Sequence, residues 1–417
     1  MPKTKLIALF LSACFVAYGL VGGVLSRVLA RNDTYRDLAI FMDVLSKVKS
    51  DYVESPDIDK AMLGALHGMM EGLDPYSSFI DSDKYQKLTV SDRGVGASPG
   101  ITVSKRHGYV YIVSTIPGSS AEKEGLRSGD LIESIDGQLT TMMSLWEAEQ
   151  VLYGEDDSTV SIRVIRGRSN SPSRLQLTRK KAALPKVSAR IVDDKVGFLK
   201  IPHFENGIGV SVSAKLKMLS ASGMQGLLID VRGTAEGDLP GVLEATDLFL
   251  SKGKKILSVK DREGEEVDFF SLREPVVTGI PVFILIDGGT SEFAEIFTAA
   301  LKDHMVGETV GERTNGEGSF QEIFHLEDGS VLEISTKLFY RANGSPIQSP
   351  ILRDSGIVPD VRSPSQDFVS SFYFEYGTDD VTKLDDNFYR KLNDSIQSEQ
   401  FGEALRQLRK RLGKKAA

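Results

Sequence analysis

Pro281-Val282-Phe283-Ile284-Leu285-Ile286 is followed, after a short turn, by Gly289-Thr290-Ser291-Glu292-Phe293-Ala294-Glu295-Ile296. An uninterrupted apolar run this short reads as a strand buried on both faces. Residues 291–301 then read as a helix, so the junction is strand to helix. The same pair occurs upstream: Gly226-Leu227-Leu228-Ile229-Asp230-Val231, then a helical stretch over 239–250. Strands alternating with helices imply an α/β core, placed at residues 190–365.

Outward from that core the pattern changes. In residues 94–182, Tyr109–Val113 and Val160–Val164 alternate as half-buried strands do. Pro117-Gly118, Gly129-Asp130 and Asp136-Gly137 between them are turn signals. Residues 32–93 read as helices, with Leu38, Phe41, Met42, Leu45 and Val48 forming one apolar stripe. The tail, 366–417, is polar and partly helical. Its basic end (Arg409-Lys410-Arg411, Lys414-Lys415) reads as a solvated, frayed terminus, with an acidic membrane surface as the sharper alternative.

The chain has 417 residues, too many for one ordinary domain, and a globular composition of 41% hydrophobic and 26% charged residues. A net charge of −8 argues against a nucleic-acid partner. Residues 1–31 stand apart. Lys3 and Lys5 precede an uncharged stretch over 6–26, and Arg27 and Arg31 follow. That stretch is long enough, as a helix, to cross about 30 Å of hydrocarbon. It predicts an N-terminal membrane helix with the membrane as a partner, and a single-pass bacterial inner-membrane protein whose bulk is periplasmic. Val28-Leu29-Ala30 leaves a cleaved signal peptide as the alternative. The lone Cys14 excludes an intramolecular disulfide and a thiolate zinc site. No cofactor or metal is expected. The fold class is thus α+β or α/β and multidomain: membrane helix, helical region, β-module, α/β core and helical tail.

Four stretches, in order, resemble the carboxyl-terminal processing (tail-specific) proteases, peptidase family S41. Asp51-Tyr52-Val53 with Gly68-Met69 and the run from Leu73 to Phe79 resembles that family's N-terminal region. The run from Pro117 to Ala121, with Gly125-Leu126, Gly129-Asp130 and Ile135-Asp136-Gly137, resembles a PDZ domain. Val306-Gly307-Glu308, Gly311-Glu312 and the run from Gly316 to Gln321 resemble the loop carrying the general base. Gly356 to Val361 resembles the closing strand. A PDZ domain adds an extended chain end to a sheet edge and captures its carboxylate on backbone N–H groups. The resemblance implies such a peptide site at Gly94, Val95, Gly96, Gly100 and Ile101, and protein C-termini as partners. A second copy of the chain or an active paralogue is the other expected partner.

The resemblance also locates a catalytic pair, and here the chain departs from the pattern. The family's serine lies in a Gly-Ser-Ala-Ser-Ala-Ser-Glu-Ile type run, which puts Glu292 at the nucleophile position. Its lysine lies in a Gly-Lys-Gly-Ser-Val-Gln type run, which puts Glu317 at the base position, with Gln321 retained as the supporting polar residue. Of the oxyanion loop Arg-Asn-Asn-Pro-Gly-Gly only Arg232 and Gly237 remain, and Glu236 adds charge of the wrong sign for an oxyanion. Glu292 and Glu317 are expected to approach closely and to share a proton or recruit a cation. The expected function is therefore a pseudoprotease that binds C-termini. The rival is an active serine endopeptidase with a shifted nucleophile, Ser291 or Thr290, served by His304.

Overall fold

The computed structural model describes residues 33–89, 96–106, 108–166, 172–181, 184–193, 195–349, 354–364 and 386–415. The chain divides into two units, 1–66 and 67–417. Helix α1 (Asp33–Asp51) forms as its periodicity predicts. Its stripe is only partly covered: Phe41, Leu45 and Val48 are half-buried, while Leu38 and Met42 are exposed. Helix α2 (Ile58–Glu71) begins in the first unit and ends in the second.

In the second unit, β1 (Ser78–Ile80) and α3 (Ser82–Thr89) lead into the β-module. Its strands are β2 (Ile101–Arg106), β3 (Tyr109–Thr115), β4 (Leu131–Ile135), β5 (Gln138–Leu139), β6 (Thr159–Ile165) and β7 (Ser173–Thr178). They order as β2-β3-β4-β6-β7, with β5 on β4. Strand β2 is at the end of that order and, among the described residues, pairs with β3; Val103, Ser104 and Lys105 in its middle are buried, while Ile101 and Thr102 at its start are half-buried. Between β3 and β4 lies the short α4 (Ser120–Lys123). Helix α5 (Leu145–Leu152) is started by a reciprocal cap. Ser144 Oγ accepts from Glu147 N at 3.1 Å, and Glu147 Oε2 accepts from Ser144 N at 3.0 Å. Inward residues of the alternating strands, among them Val110, Ile112, Ile132, Val160 and Ile162, form this module's core.

The α/β core runs β8 (Ser188–Asp193), β9 (Val196–Lys200), α6 (Ile208–Ala221), β10 (Gly226–Asp230), α7 (Leu239–Thr246), β11 (Lys255–Asp261), β12 (Glu266–Phe270), β13 (Val282–Ile286), α8 (Phe293–Asp303) and β14 (Glu308–Gly311). β15 (Ser319–His325), β16 (Val331–Arg341), β17 (Val361–Arg362) and α9 (Asp386–Lys415) complete it. One sheet orders β17-β14-β13-β10-β9-β8; it is parallel except at β8. Leu227 and Ile229 point to the side of α6, α7 and α8, while Leu228 and Phe283 point to the other side. Both faces are covered, which is why β10 and β13 are continuously apolar. The antiparallel sheet β1-β16-β11-β12, with β15 on β16, stands beside it.

Helix α9 corrects the reading of the tail's basic end as a frayed terminus, since it runs to Lys415. Phe401, Ala404, Leu405, Leu408 and Leu412 recur at helical spacing and cover the second sheet face. The basic end is partly committed to the fold, with Arg409 bonded to Asp193 at 2.6 Å and Arg411 paired with Glu308.

The membrane expectation is also corrected. Among the described residues no helix is long and apolar enough to cross a membrane. The long helices present are amphipathic or polar, and the stretch 6–26 lies outside the described residues. The membrane helix, the membrane as a partner and the inner-membrane placement that followed from it are withdrawn.

Candidate active site

At the C-terminal end of the parallel sheet, β13 runs into α8 through residues 287–292. Asp287 shapes this turn by accepting from Gly233 N at 2.9 Å and Gly289 N at 3.0 Å. Thr290 Oγ1 donates to Val231 O at 2.9 Å, tying the turn to the end of β10. Gly289 has no alternative: a Cβ there would stand 2.8 Å from Val113 O on β3 and 2.9 Å from Gly233 Cα. The β-module therefore sits directly on this turn.

Glu292 occupies the last residue before the helix with φ 46° and ψ −113°. A residue with a Cβ is held in such a conformation at a cost of about 1–3 kcal/mol. Strained strand-to-helix elbows of this kind present nucleophiles in hydrolases. Here the elbow presents a carboxylate. Burial, followed by Glu317, Glu236 and Glu295, pushes its pKa well above the ordinary carboxylate range.

Three residues on, Glu295 is fully buried and holds the opposite loop. Its Oε1 accepts from Thr314 Oγ1 and from Gly316 N at 2.8 Å; its Oε2 accepts from Glu317 N at 3.0 Å and Glu292 N at 3.1 Å. Burial pushes this carboxyl up to about 8 against those donors. All three N–H groups donate to this one carboxyl, which is how it holds the loop against the elbow. Gly316, at φ 91°, lets the loop pass Ser355, where a Cβ would stand 2.3 Å from that residue's own Cβ.

Glu317 is thus brought to the same cleft as Glu292. Burial, then the charges of Glu149 and Glu295, push it up to about 8. Its Oε2 accepts from Ser291 Oγ at 3.3 Å and Asn315 Nδ2 at 3.4 Å. Asn315 also donates to Ser291 Oγ at 2.9 Å and accepts from Tyr111 OH at 2.6 Å, a link from the β-module to the loop. From α5, Glu149 adds a third carboxyl to the cleft, raised well above its usual value by burial and then by Glu333, Glu292 and Glu236. Glu236 accepts from Thr102 Oγ1 on β2 at 2.8 Å. Among the described residues no group of three or more His, Cys, Asp or Glu is arranged to hold a metal ion.

The remaining expected site residues fall elsewhere. Gln321 Nε2 donates to Ser319 Oγ at 2.8 Å and Ser335 Oγ at 3.3 Å, on the strands rather than on the glutamates. Arg232 turns away from the cleft. It pairs with Asp230 at 2.8 Å and reaches Gln397 O at 2.9 Å and Gln400 Oε1 at 3.0 Å on α9. Burial raises Asp230, but Lys200 and Arg232 outweigh it and hold the carboxyl well below its ordinary range. Gly237 packs against Phe204, whose Cβ would be 2.9 Å from an added Cβ. His304 caps the far end of α8 and its Nε2 lies 2.7 Å from Lys255 O, a helix-length away from Ser291. Gly94 and Val95 lie outside the described residues. Gly100, at φ 78°, turns the chain into β2, which begins at Ile101. Glu295, Asn315, Glu149 and Tyr111 were not anticipated as site residues. Only Glu295 left a sequence signal, a glutamate three residues into a helix.

The fold and site together define a PDZ-type module seated on a peptidase-type α/β core. Residues 195–363 match Peptidase family S41, and residues 111–166 match the PDZ domain. The chain is homologous to S41-family carboxy-terminal processing proteases that carry a PDZ domain. It is 29% identical over 363 residues to the carboxy-terminal-processing protease of Bartonella bacilliformis, covering 85% of this chain and 82% of that protein. It is 29% identical over 336 residues to the carboxy-terminal processing protease CtpA of Bacillus subtilis, covering 79% and 69%. In fold it is similar to the photosystem II D1 C-terminal processing protease, with a TM-score of 0.64 at 24% identity over 78% of this chain and 92% of that one.

Proposed function

We propose that this chain is an S41-type protein without serine–lysine proteolysis that binds polypeptide C-termini through its PDZ module. One observation carries the first half: the strained elbow residue is Glu292, with Glu317 held across from it. Neither side chain supplies a hydroxyl nucleophile or an amine base, and carboxylates repel a developing oxyanion. Support for the second half is the PDZ match over residues 111–166 and the place of β2 at the end of the module's sheet, entered through Gly100 and the half-buried Ile101. A serine-reactive phosphonate probe should leave the purified chain unlabelled. A peptide with a free C-terminal carboxylate should bind at least about tenfold more tightly than its amide, the worth of one charge-assisted contact. Equal binding of the two peptides would refute the carboxylate capture.

A second reading has one observation in its favour, the hydrogen bond from Ser291 Oγ to Glu317. It would make Ser291 a shifted nucleophile with a carboxylate base. Ser291 is fully buried and its hydroxyl is already engaged by Asn315, so a substrate carbonyl has no approach to it. Labelling of the wild type that disappears in Ser291→Ala would favour this reading over the first.

A further inference from the structure

On the side of the elbow turned toward α9, a cavity of about 400 Å³ opens where the β-module, the parallel sheet and α9 meet. Four cationic side chains line it: Arg127, Lys200, Arg232 and Arg390. Two are already spent, since Lys200 and Arg232 both bond Asp230. Arg127 is not. Its Nη2 is buried and, among the described residues, has no hydrogen-bond partner. Burial pushes this guanidinium down to about 10, with Arg166 and Arg390 adding to the fall and Asp130 and Asp394 opposing it. Arg390 comes from α9 and lies across Gly125, with Nη2 3.3 Å from where a Cβ would stand.

The acidic residues around the cavity are mostly occupied as well. Asp287 is taken by the N–H groups of Gly233 and Gly289, and Glu122 by Gly118 N at 2.6 Å. Asp394 remains to face the two arginines. The guanidinium groups of Arg127 and Arg390 against the one carboxylate of Asp394 leave room for a single negative charge. A planar carboxylate matches the guanidinium fork and accepts two hydrogen bonds from it. A buried donor left unmade is costly, so an occupant that accepts from it gains more than a surface contact would.

We propose that this cavity is a second carboxylate-binding site, separate from the β2 edge, which takes one carboxylate between Arg127 and Arg390 and ties the PDZ module to α9. The carboxylate belongs either to a small organic acid or to a polypeptide chain end; the chemistry recognised is the same. Arg127 and Arg390 act on it from different elements, so occupancy stabilises the contact between them by mass action.

Propionate is the probe, because it is too short to add to β2 as a strand. Unfolding of the full chain is followed by the fluorescence of its single tryptophan, buried Trp146, in sodium propionate and in sodium chloride of equal ionic strength. The expected result is a saturable rise of the midpoint in propionate alone, weakened about tenfold or more in R127Q and in R390Q. Arg390 is exposed, so R390Q keeps the fold even where R127Q does not. An N-acetylated peptide with a free carboxylate, set beside propionate, identifies the source: tighter, Arg390-dependent binding points to a chain end, equal binding to a small acid. No saturable effect of propionate, or an effect that survives unchanged in R390Q, would overturn the proposal.

Discussion

Glu295 and Glu292 stand one helical turn apart and live in opposite circumstances. Glu295 is enclosed by four donors, three of them backbone N–H groups, and holds the elbow and the facing loop in one arrangement. Glu292 faces the cleft on a strained backbone, among other carboxylates. The first carboxylate is part of the frame; the second occupies the place where chemistry would be done. The difference teaches that a site's geometry and its reactivity are carried by different residues. A frame held by buried hydrogen bonds persists while the groups it presents are exchanged.

The largest effect should come from breaking the frame. Glu295→Ala strips a partner from the buried Gly316 N–H, the part-buried N–H groups of Glu317 and Glu292 and the buried Thr314 hydroxyl, and should cost about 3 kcal/mol or more in urea unfolding. Glu292→Gly should do the reverse. It removes the Cβ from a positive-φ residue and a carboxyl from an acidic cleft, and should raise stability by about 1 kcal/mol. Equal losses from the two substitutions would erase the distinction between frame and presented group.

A smaller effect tests the cleft as a whole. Glu317 and Glu333 are held up to about 8 and about 7 in the folded chain. Above an ordinary glutamate pKa of about 4.3 the unfolded chain has released these protons while the folded chain keeps them. Their contribution to stability is therefore full below that value and lost as pH rises through 7 to 8. Melting midpoints should fall between pH 5 and pH 8.5, and Glu317→Gln should flatten that fall. Asp230 acts oppositely, its contribution disappearing only on strong acidification. A midpoint that rises across the same range would contradict the assignment of protons to the cleft.

The parallel sheet was legible because β10 and β13 are apolar on both faces, a property of the local sequence. The elbow was legible through its flanking anchors, Gly289 and Glu295. What was not legible depends on distant contacts. Helix α9 hides its buried face among charged residues, and only docking on the sheet separates Leu408 from its basic neighbours. Glu149 belongs to no motif in the sequence, and only the fold of the β-module brings it to Glu292 and Glu236. Gln321 was assigned by position in a motif, but strand pairing of β15 with β16 directs its amide to Ser319 and Ser335. The stripe on α1 was read correctly as periodic, yet periodicity alone does not fix its burial: Phe41, Leu45 and Val48 are half-buried and Leu38 and Met42 exposed.

Absence of serine–lysine chemistry is the property proposed here for the cleft. The direct measurement is cleavage of an unfolded protein substrate by the purified wild-type chain, followed by mass spectrometry, beside Glu292→Ser/Glu317→Lys and Ser291→Ala. The wild type should yield no enzyme-dependent products. The double substitution should restore at most weak cleavage, since the loss of a single oxyanion donor alone costs about 10²–10³ in rate. Robust cleavage by the wild type that is abolished in Ser291→Ala would show a working shifted nucleophile and contradict the proposed inactivity.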